Sequence, residues 1–363
     1  MQPAKAYFNY AGLGRPPETI TARVDAARRE YADYLFSEDG VAMYLAALAE
    51  CRAAVAGILG LGDSRGVSLM ANATTAIQMA LSALGAPLQP GGIVVTSDQE
   101  HPCVVRPLNM LARRGIEITA LAADSPAGLL ERLDEILRRH RPAFVIVSHV
   151  SYKNGRIMPV IEIGAMLAAR EIPFIVDGAQ AFGHIPADPI AARAWAYIFS
   201  GHKWLGGPWG TGGLWTNEAF AARNRVILSN WENDADPAAG GRYEGGTMDY
   251  GTIAGFTEAC HLYRIEAQAR FDILTRLRAE ISARLDGIFA GAAGQWSGAS
   301  APGILSWLMP PAVESASVAA LMLARHRVAV KPFRPPERPD AIRVSFSSAT
   351  TIEEIELLAA AMR

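Results

Sequence analysis

The sequence Phe199-Ser200-Gly201-His202-Lys203 closes a short apolar run, Ala196-Tyr197-Ile198-Phe199, and is followed by a glycine-rich segment at 206–213. The apolar run is typical of a buried β-strand, so Lys203 lies just beyond the end of a predicted strand. An amine that leaves water becomes neutral more easily, and a neutral amine can form a Schiff base with a carbonyl group. Lysines beside glycine turns are also common on solvated surfaces. The stretch therefore makes Lys203 a candidate for covalent catalysis if other segments support it.

A second strand-like run, Phe174-Ile175-Val176, ends at Asp177 and is followed by small residues. Open α/β sheets bind their ligands outside the carboxyl ends of the strands, which is where this pattern places Asp177. A carboxylate there can pair with a protonated pyridine nitrogen and keep the ring electron-poor. The alternative is a turn or helix cap, which suits an aspartate before a glycine.

Two further segments follow predicted strands. Asn72-Ala73-Thr74-Thr75 comes after the apolar run 67–70 and has the pattern of a helix start, where backbone amides and the helix dipole can bind a phosphate. Glu100-His101-Pro102 follows the run 93–97, and an imidazole at that point can stack on a flat cofactor ring. An ordinary helix cap and a packed or exposed histidine are the alternatives.

These segments, in this order, resemble the class V aminotransferase family of fold-type I pyridoxal phosphate enzymes, which includes the cysteine desulfurases. The resemblance is carried by Ala73-Thr74, Glu100-His101-Pro102, Asp177-Gly178-Ala179-Gln180, Ser200-Gly201-His202-Lys203, Arg242-Tyr243-Glu244-Gly245-Gly246-Thr247 and Ile342-Arg343-Val344-Ser345. It covers nearly the whole chain. It implies an α/β fold with a large domain on a mostly parallel sheet and a smaller C-terminal α/β domain.

The resemblance also implies roles for individual residues. Lys203 would form the Schiff base with pyridoxal 5'-phosphate, Asp177 would pair with the pyridinium, and His101 would stack on the ring. The other implied cofactor contacts are Gln180 at the ring hydroxyl, Ala73, Thr74, Ser200 and His202 at the phosphate, and Gly246 and Thr247 reaching across from a second subunit. The implied substrate-binding residues are Arg343 at the carboxylate, Asn9, and Tyr152, which either supplies a phenolic donor or packs.

The periodicity of the chain agrees with this fold class. Short β-rich runs alternate with helical patterns between about 65 and 217, which predicts a mostly parallel sheet covered on both faces. We expect an N-terminal segment over the active site (1–20), a large cofactor-binding domain (21–250) and a small C-terminal domain (251–363). Helices are predicted over 18–36, 43–59 and 253–285. The proline-rich segment 332–339 is expected to be a surface loop, because proline cannot donate to a strand ladder.

Composition favours small-molecule partners. The 363 residues carry a formal net charge of −2, so there is no electrostatic case for nucleic acid or an acidic membrane. The N-terminus lacks a signal-peptide pattern, and Glu50 and Arg52 interrupt the apolar stretch 43–61, which argues against a membrane span. Three scattered cysteines favour a reducing cytoplasm and no zinc site. We therefore expect a cytoplasmic protein with no metal, whose partners are small molecules and a second copy of itself, and the resemblance implies a homodimer with shared active sites.

One segment of the sequence bears on which of the family's reactions the protein catalyses. A cysteine desulfurase needs a nucleophilic thiolate on a loop before the carboxylate-binding arginine, and no cysteine lies between Val328 and Arg343. The resemblance implies deprotonation at Cα of an amino acid held as an external aldimine, and the desulfurase-like motifs without the thiol resemble cystine and cysteine-conjugate lyases, so we expect carbon–sulfur β-elimination to follow. Transamination and epimerisation are alternatives, and so is a non-catalytic binding module. The polar segment 231–241 is either a gating loop or solvated surface.

Overall fold

The computed structural model describes residues 3–35, 37–223, 241–288, 300–311, 313–334 and 339–363. The chain forms two compact units. The small unit consists of Met1–Arg15, Ser151–Ile157 and Glu266–Arg363, and the large unit consists of Pro16–Val150 and Met158–Ile265. The predicted division into 1–20, 21–250 and 251–363 stays a prediction.

Helices and strands alternate through most of the chain. The helices are α1 (Glu18–Ala32), α2 (Glu38–Ile58), α3 (Ala73–Gly85), α4 (Pro102–Ala112), α5 (Pro126–Arg139), α6 (Val160–Ala168), α7 (Glu218–Arg223), α8 (Tyr250–Leu285), α9 (Ser315–Leu321) and α10 (Ile352–Met362). The strands are β1 (Ala6–Tyr7), β2 (Val67–Met70), β3 (Ile93–Ser97), β4 (Glu117–Leu121), β5 (Phe144–Ser148), β6 (Phe174–Asp177), β7 (Ala196–Ser200), β8 (Gly212–Thr216), β9 (Ile304–Leu308), β10 (Val328–Ala329), β11 (Lys331–Phe333) and β12 (Ala341–Ser345).

The large unit is built on a seven-stranded sheet in the order β2-β8-β7-β6-β5-β3-β4. All neighbours pair in parallel except β8, which is antiparallel to both β2 and β7. The mostly parallel sheet predicted from the alternating pattern is therefore confirmed. Because β2, β3, β5, β6 and β7 all run in one direction, their carboxyl ends lie at one edge of the sheet.

Both faces of this sheet are buried, which explains why its strands read as continuous apolar runs. On β6, Phe174 and Val176 belong to the core on one face, whereas Ile175 belongs to the core on the other. All five residues of β5 and of β7 are buried. The polar side chains of these two strands are Ser148 and Ser200 at the strand ends and Tyr197 within β7, whose hydroxyl lies 3.0 Å from His149 Nδ1.

Helix α2 begins earlier than the sequence pattern suggested. Ser37 precedes it in an extended conformation, and its hydroxyl accepts a hydrogen bond from the Gly40 amide at 3.0 Å. This cap starts the helix at Glu38 rather than Met43. Among the described residues, α2 is the helix whose length and apolar composition would also suit a membrane span. Its residues Leu48, Cys51 and Val55 pack in the core of the large unit.

The small unit contains an antiparallel sheet in the order β11-β12-β9 and a parallel pair of β1 with β10. Its core includes Phe8, Trp307 and Phe346, all fully buried. The expectation of a loop from Pro332 onward is wrong at its start, because Pro332 lies in β11 opposite Ile342. Since β11 is an edge strand, proline can occupy it without removing a central ladder bond.

Candidate active site

The residues that carry the sequence motifs of the large unit follow the strands whose carboxyl ends share one edge. Asp177 ends β6, and Ser148 and Ile198 are its register partners on β5 and β7. Lys203 follows β7 by three residues. Parallel pairing thus brings positions far apart in sequence to one place.

Asp177 is a buried carboxylate, only 4% exposed, and its Oδ1 accepts a hydrogen bond from the Ala179 amide at 3.0 Å. Burial raises the pKa of this carboxyl above its ordinary value, while the Ala179 bond and the positive charge of Lys203 oppose the rise. An ionised carboxylate is costly to bury unless a cation accompanies it. A protonated pyridine nitrogen supplies such a cation, so Asp177 fits the ring end of pyridoxal phosphate.

Lys203 is half-buried, and its positive charge affects the pKa of several residues of the site. That charge opposes the rise that burial causes in the pKa of Asp177, and it adds to burial, the larger cause, in lowering the pKa of His202. It also opposes the effect of burial on the Cys103 thiol, whose pKa is raised to about 12. These electrostatic contacts place the amine among Asp177, His202 and Cys103.

The predicted phosphate-binding residues come from α3 and from the end of β7. Asn72 caps α3, with its Oδ1 accepting from the Thr75 amide at 2.9 Å, and the helix begins at the buried Ala73 and the exposed Thr74. Gly212 on β8 is the register partner of both Met70, just before this helix start, and Ser200.

The same end of the site contains a histidine in a defined orientation. Ser200 Oγ lies 3.3 Å from His202 Nε2, and His202 Nδ1 donates to the Thr211 carbonyl at 2.9 Å because a carbonyl oxygen can only accept. The helix amides and the Ser200 hydroxyl fit an anion. The structure therefore brings Ala73, Thr74, Ser200 and His202 to one edge of the sheet.

His101 caps α4 rather than standing free. Its Nδ1 accepts from the Cys103 amide at 3.2 Å and lies 3.0 Å from Cys103 Sγ. A backbone amide can only donate, so Nδ1 holds a lone pair and the ring proton of the neutral imidazole is on Nε2. Cys103 remains a thiol because burial raises its pKa to about 12, and it also contacts the Thr74 side chain.

Glu100 forms a network that motif reasoning did not assign. Its carboxylate accepts from Ser97 Oγ at 2.5 Å, from the Ser148 amide at 3.0 Å and from Ser148 Oγ at 2.6 Å. Burial raises its pKa to about 7, and the nearby Asp177 adds to the rise. Glu100 therefore ties β3 to β5 directly beside the strand that carries Asp177.

Gln180 is also held by residues that the sequence did not single out. Its Oε1 accepts from Trp204 Nε1 at 2.8 Å, and the His184 ring stacks on Trp204 with centroids 3.7 Å apart. The only signal available in the sequence was position, since Trp204 directly follows Lys203 and His184 follows Gln180 by one helical turn.

The three predicted substrate-binding residues lie together in the small unit. Arg343 on β12 is 2% exposed, donates through Nη1 to the Tyr152 carbonyl at 2.6 Å and donates through Nη2 to Asn9 Oδ1 at 2.8 Å. Tyr152 is buried, and its ring packs edge-to-face on Phe333 at 5.8 Å. Asn9 is aligned by a bridge to Ser345, at the end of the same strand as Arg343.

Two predicted residues stand apart from these clusters. Gly246 and Thr247 are exposed, with Gly246 in the left-handed region at φ 73°. Their predicted contact with a second subunit stays a prediction. The candidate gating segment 231–241 lies outside the described residues apart from Gly241.

A mostly parallel sheet with a lysine, a buried carboxylate and a helix start at its carboxyl edge is the arrangement expected of a fold-type I pyridoxal phosphate protein. The family model described as aminotransferase class-V matches residues 8–358, and the chain belongs to this family of pyridoxal-phosphate-dependent enzymes. The predictions of family, fold class and cofactor are confirmed.

Several known relatives and structures resemble the chain. A probable cysteine desulfurase of Mycolicibacterium paratuberculosis is 30% identical over 70% of this chain and 38% of its own length. The cysteine desulfurase IscS of Pectobacterium atrosepticum is 30% identical over 60% of this chain and 52% of its own. The chain thus spans about half the length, or less, of these curated relatives.

Among solved structures, the complex of the cystine C-S lyase C-DES with its reaction product cysteine persulfide has a TM-score of 0.86 and 24% identity, covering 99% of this chain and 97% of that one. The cysteine desulfurase of Thermococcus onnurineus NA1 has a TM-score of 0.86 and 22% identity, covering 98% and 93%. At these identities the two structures support the fold.

Proposed function

We propose that this protein is a carbon–sulfur lyase that acts on an α-amino acid carrying a sulfur substituent at Cβ. The observation that carries the proposal is the segment from Val328 to Arg343, which resembles the desulfurase pattern at its end yet contains no cysteine. Without a thiol on that segment, sulfur cannot be transferred to the enzyme there as a persulfide. Departure of sulfur from Cβ remains open to a family member with an intact lysine and aspartate.

The residues of the large unit divide the work between proton transfer and charge stabilisation. When bound, pyridoxal phosphate withdraws the electrons left at Cα after a proton is lost. Asp177 holds a proton at the pyridine nitrogen, and Lys203 takes the proton from Cα. His101, with its proton on Nε2, would stack on the ring of the bound cofactor, and Gln180 would donate to the ring oxygen. Ala73, Thr74, Ser200 and His202 would hold the phosphate.

Recognition of the substrate carboxylate falls to Arg343. Its planar guanidinium is suited to a bidentate carboxylate, and Asn9 and Tyr152 fix its plane through the two hydrogen bonds given above. The buried packing of Tyr152 on Phe333 favours the packing role over the phenolic one.

The assembly belongs to the same proposal. The protein acts in the cytoplasm as a homodimer in which Gly246 and Thr247 contact the cofactor of the partner subunit. The exposure of both residues in the single chain is consistent with such a contact.

The test is an absorbance spectrum of purified protein while amino acids, cystine and cysteine thioethers are added and pyruvate and ammonia are measured. Before any amino acid is added, we expect a visible band in the wild type and in Lys5→Ala, a matched variant at an exposed lysine, and none in Lys203→Ala. Pyruvate should form without any keto-acid acceptor. A requirement for a keto acid would make the protein an aminotransferase, and the lack of a band in the wild type would overturn the whole assignment.

A further inference from the structure

Trp204, Gln180 and His184 form a buried cluster directly beside Lys203. The three side chains belong to residues that are 8%, 5% and 2% exposed, respectively. Trp204 Nε1 donates to Gln180 Oε1 at 2.8 Å. The His184 ring lies nearly parallel to the indole, at 15°, and its Nδ1 donates to the Gln180 carbonyl at 3.0 Å. The indole is therefore held on one side by stacking and bonded on the other to an amide.

The chemistry of these groups fixes the orientation of the Gln180 amide. An indole nitrogen carries a hydrogen and has no acceptor lone pair, so the group facing it must be the amide oxygen. If the amide turned over, its NH₂ group would face the indole N–H, two donors would meet in a buried site, and the bond would be lost. The NH₂ group is consequently directed away from Trp204.

We propose that Trp204 is a positioning residue that holds Gln180 in the one amide orientation in which its NH₂ group, rather than its oxygen, meets the ring oxygen of the cofactor. This inference rests on the proposed use of pyridoxal phosphate and deepens it. Neither the family match nor the motifs assign a role to the residue after the lysine.

The orientation matters because the negative charge of the ring oxygen is balanced at low pH by the proton on the nitrogen that joins Lys203 to the cofactor, and is no longer balanced when that proton is lost at high pH. A donated hydrogen bond therefore stabilises the high-pH form more than the low-pH form, whereas an amide oxygen would repel the charge. Trp204 thus acts at a distance, through Gln180, on the pH at which the holoenzyme changes its absorbance. The other titratable groups of the site are Lys203, Asp177, His184, His202, Cys103, His101 and Glu100. None of them is changed by the substitution of Trp204.

The experiment is a pH titration of the visible band of the holoenzyme in Trp204→Phe. Phenylalanine keeps an aromatic face for His184 but has no N–H, so we expect the midpoint to rise by about one pH unit, the loss of roughly one charge-assisted hydrogen bond. The matched control is Trp195→Phe, because Trp195 lies just before β7, at the opposite end of that strand. Its midpoint should equal that of the wild type.

A comparison with a double variant distinguishes the positioning of Gln180 by Trp204 from a general loss of structure. In a Gln180→Leu background, Trp204→Phe should leave the midpoint where Gln180→Leu alone puts it, because the amide through which Trp204 acts is gone. An unchanged midpoint in Trp204→Phe alone, or an equal shift in both backgrounds, would overturn the inference. A wild type without a visible band would instead overturn the proposed function.

Gln180→Glu provides a second variant if Trp204→Phe does not yield folded holoenzyme. A carboxylate keeps an acceptor for the Trp204 N–H but offers no donor to the ring oxygen, so the midpoint should again rise. An unchanged midpoint would mean that the amide nitrogen does not meet the ring oxygen, and the inference would be wrong.

Discussion

Asp177 and His101 in the large unit and Arg343 in the small unit are held in different ways. Asp177 is bonded to the amide two residues on, and His101 to the amide and thiol two residues on. Arg343 is bonded to Asn9, 334 positions away, and to the carbonyl of Tyr152, 191 positions away. Where a side chain is oriented by its own neighbours, a short motif is enough to reveal it. Where it is oriented by distant segments, no short pattern records the partners.

The largest expected effect is at the locally held carboxylate. Asp177→Asn keeps an oxygen for the Ala179 amide but removes the charge that holds a proton on the pyridine nitrogen, so we expect kcat to fall roughly a thousandfold. The same change removes the cost of burying a carboxylate, so the free energy of unfolding of the cofactor-free protein should stay equal or rise.

These two quantities are measured by steady-state kinetics and by urea unfolding of the apoprotein. Asp63→Asn, at an exposed aspartate paired with Arg65, serves as the control and should change neither appreciably. A stable, fully active Asp177→Asn variant would contradict the role given to Asp177.

The next largest effect is expected at Gly178, where the backbone beside Asp177 is tightly packed. A Cβ on Gly178 would lie 2.2 Å from Tyr197 Cε1 and 2.5 Å from its hydroxyl oxygen. We expect Gly178→Ala to lower the free energy of unfolding by about 3 kcal/mol because the buried ring must shift.

Chemical denaturation measures this loss. Gly62→Ala is the control, since nothing lies within 4 Å of a Cβ there. Adding Tyr197→Leu to Gly178→Ala should recover part of the loss, and a simple sum of the two single effects would show that the clash is not the cause.

A smaller effect concerns pH and the Glu100 network. The pKa of the Glu100 carboxyl is raised from 4.5 to about 7 in the folded protein. The contribution of the protonated carboxyl to the free energy of unfolding is therefore complete below pH 4.5 and is lost as the pH rises through 7. Between pH 5 and pH 8 the wild type should lose about 2–3 kcal/mol that Glu100→Gln does not lose.

Urea unfolding of the wild type and of Glu100→Gln at several pH values measures this difference. Glu117→Gln, at an exposed residue on β4, should follow the wild-type profile. Parallel profiles for wild type and Glu100→Gln would mean that Glu100 is not the titrating group.

The smallest predicted effect breaks the distant cluster. Arg343→Lys retains a positive charge but cannot bond to the Tyr152 carbonyl and Asn9 together, nor bind a carboxylate with two parallel bonds. We expect KM for the amino acid to rise about tenfold with kcat little changed, the pattern of lost uniform binding.

Arg325→Lys, at an exposed arginine of the same unit, is the matched control and should leave KM alone. A fall in kcat at constant KM would instead place Arg343 in the chemical step.

The same contrast between local and distant partners explains how much of the fold and of the site can be predicted from the sequence. The parallel sheet, the strand that ends at Asp177 and the helix start after Asn72 followed from apolar runs and their punctuation, because burial on both faces leaves such runs little freedom. The start of α2 and the strand at Pro332 were misjudged, since a serine cap and an edge position override propensity. Trp204 and Glu100 were overlooked as network residues because their partners lie on other elements.

The amino-acid sequence by itself determined the family, the cofactor and the positions of Lys203 and Asp177. Each of these depends on the residue types at the ends of strands, and the end of a buried strand can be predicted where an apolar run of the sequence ends. Only the tertiary structure decided the orientation of the Gln180 amide, the tautomer of His202 and the partners of Arg343. Those properties depend on which donor faces which acceptor, and folding brings such pairs together from segments that the sequence keeps apart.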